Sequence, residues 1–542
     1  MLQIIYSLVI YLVIASGYGS VLDKFLNSNR LLSFRLINGL LFIGLISLII
    51  AMFVPLTVYY ETFILLIGFV LFVKNACWKG FFVGDKSILF FALLTCFVAS
   101  INAFLFDTFS YYLPTIKWLD GYGLVNGLAN FDFNLGQTSL WHIIQATFNE
   151  SFDWYYKINA FLIVIYLIYL SEIKQFNLLI LLPLFYLFVA SPSPDLPVII
   201  LSIILYLNWQ NSKSNEAIKY GLIVGCFIVL IKPIAFVLPV FFFLLSLKNK
   251  SYFQSTYIGI CGLVLLFLAK NIILTGNFLF PLSLGNLSFL KHAVPASIYD
   301  ISAIEGRYMA VSRVNYISKE EIGAMSLFQY YRYLSNNLHL SLIIFGFIFL
   351  TQLFSAIYFY LKRERTLAIL MALFLLKGLV FVAISPQYRF LLDGFLIVVV
   401  IILSKLNLNR ILIYSVVSIS AILFVFSKNI TNSFSEIYFL KMVAKYQYKQ
   451  LLVPKNYQLK TEKIQLFNFK ANYVKRYPFS YNINQIAINP TLIDRYLMQK
   501  SHPELINNKD VKKGFYTKHN SFLDEEKLKK IYYSYISSLE TK

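Results

Sequence analysis

Charged side chains are scarce in this sequence. Only 13% of its 542 residues are Asp, Glu, Lys or Arg, while 58% are hydrophobic, and the mean hydropathy is +0.68. Soluble globular domains carry about 25% charged residues, so this composition excludes an ordinary soluble protein. It indicates a membrane protein with many spans, whose partner is the lipid bilayer and whose bundle is shaped by helix packing and backbone hydrogen bonding.

Cysteine is equally rare. The four cysteines lie in or beside apolar runs, at Cys77, Cys96, Cys226 and Cys261. No two are spaced as in a zinc site or a disulfide framework, so reactive or structural cysteine chemistry is not expected. The chain also lacks a basic run interleaved with aromatic residues, which a groove for single-stranded nucleic acid requires. We therefore expect no nucleic-acid partner.

Long apolar runs fill the first 428 residues. A transmembrane helix needs about 20 apolar residues, or fewer where a helix is broken, which gives about 14 crossings. The predicted fold class is an all-α polytopic membrane protein. Pro233 leaves two alternatives open, one kinked helix or two separate spans. The predicted spans centre near Leu12, Ile46, Gly68, Thr95, Ile165, Leu184, Ile203, Cys226, Phe241, Val264, Gly346, Phe374, Val398 and Val417.

The distribution of charge predicts the orientation in the membrane. The formal charge of +21 is concentrated in the C-terminal tail and in alternate loops, such as residues 24–35, 74–86 and 362–365. Basic residues in alternate loops follow the positive-inside pattern, which places those loops in the cytoplasm. Both termini and the two long loops, residues 107–155 and 276–337, are then predicted on the extracytoplasmic side.

The C-terminal residues contain no run long enough to span a membrane. The stretch QLFNFKANYV has partial strand alternation, and SFLDEEKLKK begins with the S-x-x-D spacing of a helix start. We therefore predict a transmembrane domain at residues 1–428 and a small mixed α/β extracytoplasmic domain at residues 429–542.

The second long loop is predicted to contain two amphipathic helices. Ser302 is followed by Glu305, and Ser318 by Glu321, which is the S-x-x-E spacing of a capping box. We expect the second of these helices to continue through Tyr331, because apolar residues follow Ser318 at helical spacing.

Asp107 begins the first long loop, directly after the apolar run at residues 88–106. Lys117 and Asp120 lie between apolar residues at helical spacing, which favours a short helix on a membrane surface. Pro114 is expected to kink or restart this helix. Asp107 is either the N-cap of the helix or a catalytic carboxylate, and the neighbouring residues leave both roles open.

Four other charged residues are predicted at the same membrane level as Asp107. They are Asp195 in the turn SPSPD, Lys232 and Lys270 at the ends of two spans, and Arg389 in the turn SPQYRF. Charges at membrane depth are costly and usually pair or line a cavity. Each also has a structural explanation, since the aspartate would cap a helix, the lysines would snorkel and the arginine would anchor a headgroup. Together they suit chemistry on an anionic lipid phosphate.

The segment DTFSYYLPTIKWLDGYGLVNGLAN, which begins at Asp107, resembles the pattern D-T-x-x-Y-H…W-x-x-x-Y-G-x-V-x-G-L-x-N of an uncharacterised bacterial branch of the GT-C superfamily of membrane glycosyltransferases. The segments SPSPDLP, LIKP, KNIILTGNFLFP and DVKKGFY resemble later landmarks of that branch. The resemblance implies a GT-C-like fold in a bacterial inner membrane. It implies an inverting sugar transfer from a polyprenyl-phosphate-linked donor to a glycan, lipid or protein acceptor on the extracytoplasmic face, in cell-envelope polysaccharide or glycoconjugate assembly.

The same resemblance implies roles for the outer residues. Asp107 is the expected general base, and Asp195 is the second candidate for a catalytic carboxylate. The residues expected to bind substrate are Tyr111, Tyr112, Lys232, Lys270 and Arg389. Tyr112 stands where the pattern has His, and Lys270 stands where it has Arg. No second carboxylate forms a D-x-D or D-E pair with Asp107, so no metal ligand is assigned and a requirement for a divalent metal stays open.

Two other functions fit the same features. An O-antigen polymerase or ligase also has many spans and a large outer loop with basic residues, but it is expected to rely on Arg and His more than on Asp107. A polysaccharide flippase or transporter is expected to hold its charges near the membrane midplane, between repeated halves. The sequence shows neither an internal repeat nor matched broken helices, which favours the glycosyltransferase.

Overall fold

A computed structural model of the chain describes residues 1–26, 31–80, 86–249, 254–311, 318–337, 340–427, 448–454, 459–474, 479–483 and 486–540. Most of these residues are helical. In chain order the helices are α1 (Leu2–Leu26), α2 (Leu32–Phe53), α3 (Val58–Lys74), α4 (Lys86–Ala99), α5 (Leu113–Tyr122), α6 (Leu128–Phe131), α7 (Leu140–Ala146), α8 (Ile158–Glu172), α9 (Leu182–Val189), α10 (Asp195–Ser212), α11 (Asn215–Ile231), α12 (Val237–Lys248), α13 (Gln254–Thr275), α14 (Ala296–Val311), α15 (Lys319–Ala324), α16 (Leu327–Asn336), α17 (Leu340–Leu361), α18 (Arg365–Ile384), α19 (Leu392–Leu403), α20 (Arg410–Phe426), α21 (Pro490–Met498) and α22 (Phe522–Glu540). Each span centre predicted from the sequence lies inside one of these helices.

In the described part of the chain, five helices are long and apolar enough to cross a membrane, namely α1, α2, α13, α17 and α18. The prediction of a helical membrane protein is therefore confirmed. The 14 crossings and the GT-C-like fold stay predictions. Shorter apolar helices coincide with further predicted crossings, at Ser87–Ala99, Ile158–Glu172, Phe176–Val189, Pro233–Lys248 and Arg410–Phe426.

The helical chain is interrupted at Lys232, between α11 and α12. Lys232 is extended, with φ −151° and ψ 114°, and a 3-10 turn follows at Pro233–Ala235. Proline disfavours the helical conformation of the residue before it, because the two residues clash. Of the two alternatives at Pro233, the structure therefore has two separate helices.

The chain forms two compact units. The first unit consists of Met1–Pro197, Leu265–Pro295 and Asn407–Lys542, and the second of Val198–Val264 and Ala296–Leu406. In the first unit α1 packs against α2 and α3, and α2 packs against α7 and α8. A Cβ atom on Gly39 of α2 would lie 1.8 Å from the carbonyl oxygen of Ala15 in α1. Glycine therefore permits the backbone contact between these two apolar helices.

In the second unit α17 packs against α18 and α19, and α11 packs against α12. Lys377 of α18 and Asp393 of α19 form a salt bridge of 2.7 Å, with side chains that are 0% and 4% exposed. The predictions from the sequence did not include this pair. Removing a charge from water costs several kcal/mol, so each of these side chains requires the other inside an apolar bundle.

Helix α14 begins earlier than predicted. It starts at Ala296, directly after Pro295, so Ser302 and Glu305 lie inside the helix. The predicted helix start at Ser302 is therefore wrong. Proline biases the preceding residue away from the helical conformation, which sets the boundary at this point. Glu305 instead accepts a hydrogen bond of 3.1 Å from Lys319 Nζ.

The capping box of Ser318 and Glu321 is confirmed at the start of α15. This helix ends at Ala324, and a second capping box, formed by Ser326 and Gln329, starts α16. The prediction of one continuous helix is therefore wrong. The second box satisfies the backbone amides of a new helix start, so the chain can bend between the two helices.

The C-terminal residues form a small α/β region, as predicted. Strands β1 (Glu462–Leu466) and β2 (Phe469–Tyr473) pair antiparallel, and β3 (Ala487–Ile488) pairs parallel with β2. Strands β4 (Ser501–Leu505) and β5 (Phe515–His519) form a second antiparallel pair. The strand alternation predicted in QLFNFKANYV corresponds to the end of β1 and to β2, and the turn between them was not predicted. The predicted domain boundary at residues 428 and 429 lies outside the described residues.

The α/β region packs onto the first long loop within the first unit. The Phe515 amide donates a hydrogen bond of 2.9 Å to the Asn126 carbonyl, and Thr517 Oγ1 donates one of 2.6 Å to Asn130 Oδ1. Gly514 has φ +95°, and a Cβ atom there would lie 1.8 Å from the Asn126 oxygen. Only glycine suits this position, because it combines a positive φ with a close backbone contact.

Candidate functional site

Asp107 lies in the first turn of the helix that begins the first long loop. A π-helical turn follows at Thr108–Tyr112 and continues directly into α5. The Leu113 amide donates to the Thr108 carbonyl, five residues earlier, and Pro114 occupies the first turn of α5. The π turn accommodates a proline that cannot donate a backbone hydrogen bond. The helix therefore changes from a π turn to an α-helix just before Pro114, and π turns of this kind are frequent at functional sites.

The Asp107 side chain does not cap this helix. Its backbone is helical, with φ −60° and ψ −24°, and no hydrogen bond from a backbone amide to its carboxylate caps the turn. Instead the carboxylate accepts a long hydrogen bond of 3.5 Å from the Tyr112 hydroxyl. Of the two roles considered for Asp107, the N-cap is therefore wrong, because an N-cap residue leaves the helical conformation and bonds the next amides.

Tyr111 and Tyr112 lie beside a histidine that the predictions from the sequence missed. The Tyr112 ring centroid is 4.5 Å from that of Tyr111 and 4.9 Å from that of His142. His142 is fully buried in α7, whose start is capped by the Ser139 hydroxyl. The only sign of this residue in the sequence was a histidine within the apolar stretch SLWH, which belongs to the same loop as Asp107. The structure therefore brings a carboxylate, two tyrosines and a histidine together.

Lys270 bonds to the segment that leads into α7. Its ammonium donates a hydrogen bond of 2.6 Å to the Thr138 carbonyl, and the side chain is 5% exposed. A snorkelling lysine would extend its charge into water, so that explanation is wrong for Lys270. Since Thr138 immediately precedes the cap of α7, Lys270 helps to position the helix that carries His142.

Asp195 is the first residue of α10 and is also buried. It interacts with Ser193 Oγ, which accepts from the Asp195 amide at 3.3 Å and lies 3.4 Å from its carboxylate. The same turn is tied to the first long loop, because the hydroxyls of Ser191 and Thr108 form a hydrogen bond of 2.6 Å. Thr108 directly follows Asp107. The segments of both predicted carboxylates therefore meet, although they are far apart in the sequence.

A small cavity of about 60 Å³, partly open to solvent, lies in the first unit beside the turn that follows Asp107. It is lined by the first long loop, the SPSPD turn and the C-terminal region. The aromatic lining consists of Phe109, Trp154, Tyr155, Tyr156 and Tyr481, and the polar lining includes Asn102, Thr108, Lys157 and Asn482. Such a mixture of aromatic faces and a few polar groups is typical of small-molecule sites.

A buried network fixes Lys157 in the cavity wall. Its ammonium donates to the Ala190 carbonyl at 2.9 Å and to the Ile101 carbonyl at 3.3 Å. The neighbouring Asp153 carboxylate accepts from the Lys157 amide and from the Tyr11 hydroxyl. Burial raises the pKa of Asp153 to about 6 and lowers that of Lys157 to about 8, because both charged forms lose solvation.

A second buried network lies in α5. Lys117 and Asp120 are 8% and 6% exposed and form a salt bridge of 3.1 Å, and Asn149 donates to the same carboxylate at 2.7 Å. The predicted surface helix is therefore wrong at these positions. Burial raises the pKa of Asp120 to about 7, while its hydrogen-bond partners lower it. The loop packs on all sides of α5, which a helical period alone does not predict.

Lys232 and Arg389 belong to the second unit, where they share one aromatic ring. The Lys232 ammonium lies 5.3 Å from the centroid of the Phe390 ring, and the Arg389 guanidinium lies 5.4 Å from it. Arg389 Nε also donates to Gln387 Oε1 at 2.8 Å. Two of the three cations predicted to bind substrate therefore lie close to each other.

The described residues contain no group of three or more His, Cys, Asp and Glu side chains that could hold a metal ion. The fold defines a helical membrane protein in which the first long loop carries a buried polar site. The chain belongs to the family described as Domain of unknown function (DUF8201), whose model matches residues 1–396. No curated protein and no solved structure matches the chain. The matched residues include every predicted site residue and exclude the α/β region.

Proposed function

We propose that this protein is a membrane glycosyltransferase of the GT-C type, with Asp107 as its general base. It transfers a sugar from a polyprenyl-phosphate-linked donor to an acceptor at the extracytoplasmic face of a bacterial inner membrane, in the assembly of a cell-envelope polysaccharide or glycoconjugate. The observation that carries this proposal is the position of Asp107. Its carboxylate is not used as a helix cap, it interacts with Tyr112 beside His142, and the next residue lines a cavity.

The chemistry requires one carboxylate within hydrogen-bond reach of the acceptor. Asp107 takes the proton of an acceptor hydroxyl while the hydroxyl oxygen attacks the anomeric carbon of the donor sugar. The bond from that carbon to the phosphate oxygen breaks, and the polyprenyl phosphate leaves with the electron pair. The attack from the opposite side inverts the anomeric configuration. Cations stabilise the negative charge on the departing phosphate.

Tyr112 and Lys270 contribute as positioning residues in this scheme. The Tyr112 hydroxyl orients the Asp107 carboxylate, and its ring packs on His142. Lys270 holds the Thr138 carbonyl and thereby the start of α7. A general base needs a defined orientation, since small displacements of a reacting group reduce the rate strongly.

Analysis of lipid-linked oligosaccharides after deletion of the gene tests this proposal. We expect the deletion strain to accumulate an acceptor that lacks one sugar, together with unused polyprenyl-phosphate-linked donor, and we expect the wild-type gene to restore the product. Unchanged lipid-linked species in the deletion strain would contradict a glycosyltransferase.

One observation favours a polysaccharide transporter as the second candidate. The ion pair of Lys377 and Asp393 is buried inside helices predicted to span the membrane, and intramembrane charges often mark transport pathways. A transporter deletion would accumulate complete lipid-linked glycan on the cytoplasmic side, whereas a glycosyltransferase deletion accumulates an incomplete one. The same analysis therefore separates the two functions.

A further inference from the structure

A hairpin with an apolar tip follows α13 in the first unit. The chain turns back on itself over residues 276–287, where Asn277 and Asn286 form an antiparallel bridge. Three leucines at the tip are exposed by 45%, 46% and 64%, namely Leu279, Leu282 and Leu284. No Asp, Glu, Lys or Arg occurs in residues 271–290. Exposed apolar side chains that cluster in this way mark a surface that contacts a partner or a membrane.

The backbone of the hairpin tip is hydrogen-bonded within the hairpin itself. The Phe278 amide donates to the Gly285 carbonyl at 3.2 Å. The Asn277 side chain bonds twice, since Nδ2 donates to the Leu282 carbonyl and Oδ1 accepts from the Leu279 amide, both at 2.8 Å. Backbone groups that enter a bilayer must find their partners inside the protein, because no water is present there to bond them. These hydrogen bonds provide such partners at the tip.

The hairpin is fixed to the end of a membrane-spanning helix. Helix α13 ends at Thr275, and the Asn271 side chain in its last turn donates a hydrogen bond of 2.9 Å to the Phe278 carbonyl. The Cα of Asn277 lies no more than about 7 Å from that of Thr275, two residues earlier. The 22 residues of α13 extend over about 33 Å, and the hydrocarbon of a bilayer is about 30 Å thick. The tip therefore lies near the level at which α13 leaves the hydrocarbon.

Phe280 points away from the exposed leucines and packs into the first unit. Its side chain is buried, and its ring centroid lies 4.6 Å from that of Phe133 in the first long loop. Gly136 leaves room for this ring, because a Cβ atom there would lie 2.8 Å from Phe280 Cζ. The hairpin therefore joins the end of α13 to the loop that carries Asp107 and His142.

We propose that the tip of the 276–287 hairpin inserts its three leucines into the bilayer, at the border between headgroups and hydrocarbon. The partner is the phospholipid bilayer, because the tip is continuous with a helix whose apolar side chains, such as Leu265, already face outward in the membrane. Through Phe280 and Phe133, this contact holds the first long loop on the membrane surface. The lipid contact itself does not depend on the proposed transferase activity.

Photo-crosslinking in a defined bilayer tests this contact. A benzophenone amino acid replaces Leu282 in the full-length protein, which is reconstituted into nanodiscs of a single phospholipid and irradiated. Mass spectrometry then measures lipid adducts at the probe. The same probe at Leu265 of α13 gives the yield for a side chain in lipid, and the probe at Lys509, an exposed polar position of the first unit, is the control. We expect the yield at Leu282 to exceed that at Lys509 about tenfold or more, because burial of one leucine favours the lipid contact by about that factor.

Three outcomes would overturn the hairpin proposal. The first is an equal yield at Leu282 and Lys509 when the probe at Leu265 forms lipid adducts. The second is an adduct at Leu282 that forms only after polyprenyl phosphate is added, which would show that the tip binds a substrate lipid instead of the bilayer. The third is a crosslinked dimer without lipid adducts. If the Leu282 variant does not fold, the probe at Leu284 replaces it with the same expected yield.

Discussion

Asp107→Asn distinguishes a catalytic carboxylate from a structural one. Asparagine keeps the size of the side chain and an oxygen that accepts from the Tyr112 hydroxyl. The loss of an N-cap usually costs about 1 kcal/mol, but the Asp107 side chain makes no capping hydrogen bond. We therefore expect a melting temperature close to that of the wild type for Asp107→Asn, whereas Asp107→Ala also removes the acceptor of the buried Tyr112 hydroxyl and should lower it.

The effect on catalysis should be much larger than the effect on folding. A neutral amide cannot take the proton of an acceptor hydroxyl, and the loss of a general base slows a reaction by about 100- to 10,000-fold. The assay compares membranes with matched protein levels, and it scores sugar transfer from a polyprenyl-phosphate-linked donor or restoration of the surface glycan in a deletion strain. Asp300→Asn is the control, since Asp300 is an exposed carboxylate of α14.

Near-normal transfer by Asp107→Asn would refute the general-base assignment. The remaining candidate would then be Asp195, the buried carboxylate of the SPSPD turn, whose segment is joined to Thr108 through Ser191. Asp195→Asn in the same assay would test that alternative.

Four further predictions concern topology, stability and substrate binding. Reporter fusions after Asn130 and at the C-terminus should report the same side of the membrane, because Asn130 bonds to Thr517. Fusions after Lys86 and Lys405 should report the cytoplasm, because these residues lie in the basic loops. Gly514→Ala should destabilise the docked α/β region by more than about 1 kcal/mol, measured by limited proteolysis, since its φ is +95°. The contribution of Asp120 to stability should be largest below about pH 4 and should fall as the pH rises to about 7, because burial raises the pKa of Asp120 to about 7. Asp120→Asn should remove this part of the dependence of the melting temperature on pH. Lys232→Gln and Arg389→Gln should each raise the KM for the lipid-linked donor about tenfold or more, through a lost charged hydrogen bond to phosphate.

Each of these predictions has a clear contrary result. Opposite sides for the Asn130 and C-terminal reporters would show that the span count is wrong. Gly259→Ala is the control for Gly514→Ala, because no atom lies within 4 Å of a Cβ there, and equal proteolysis of both variants would contradict the docking argument. An unchanged slope of melting temperature against pH in Asp120→Asn would exclude a titrating Asp120. An unchanged KM in both cation variants would remove them from the phosphate site.

The local sequence is sufficient to predict the positions of most of the helices. Apolar runs predict insertion into a bilayer, so the predicted centres lie in helices even where the helix is short. Local patterns also suffice to predict the capping box at Ser318 and a strand in QLFNFKANYV, although not the turn that divides this stretch into β1 and β2. The errors at Ser302 and after Ala324 are also local, since Pro295 and the second capping box at Ser326 set those boundaries.

The candidate site was only partly predictable. The helix exit and the family resemblance identified Asp107, Tyr111 and Tyr112, and the structure places these three next to one another. The sequence did not predict which further residue would pack against these three side chains. His142 reaches Tyr112 because the loop folds back on itself, and this return is not encoded in any local period.

Tertiary packing alone decides the environment of the buried charges. Lys117 and Asp120 have the spacing of an exposed helical face, yet the surrounding loop buries both. Asn130 and Thr517 bond across 387 positions, and Lys377 finds Asp393 on another helix. A polar side chain removed from water requires a partner, but the sequence does not state which distant residue supplies it. That choice depends on how the segments pack, so burial, pKa and the walls of the cavity follow from the folded chain.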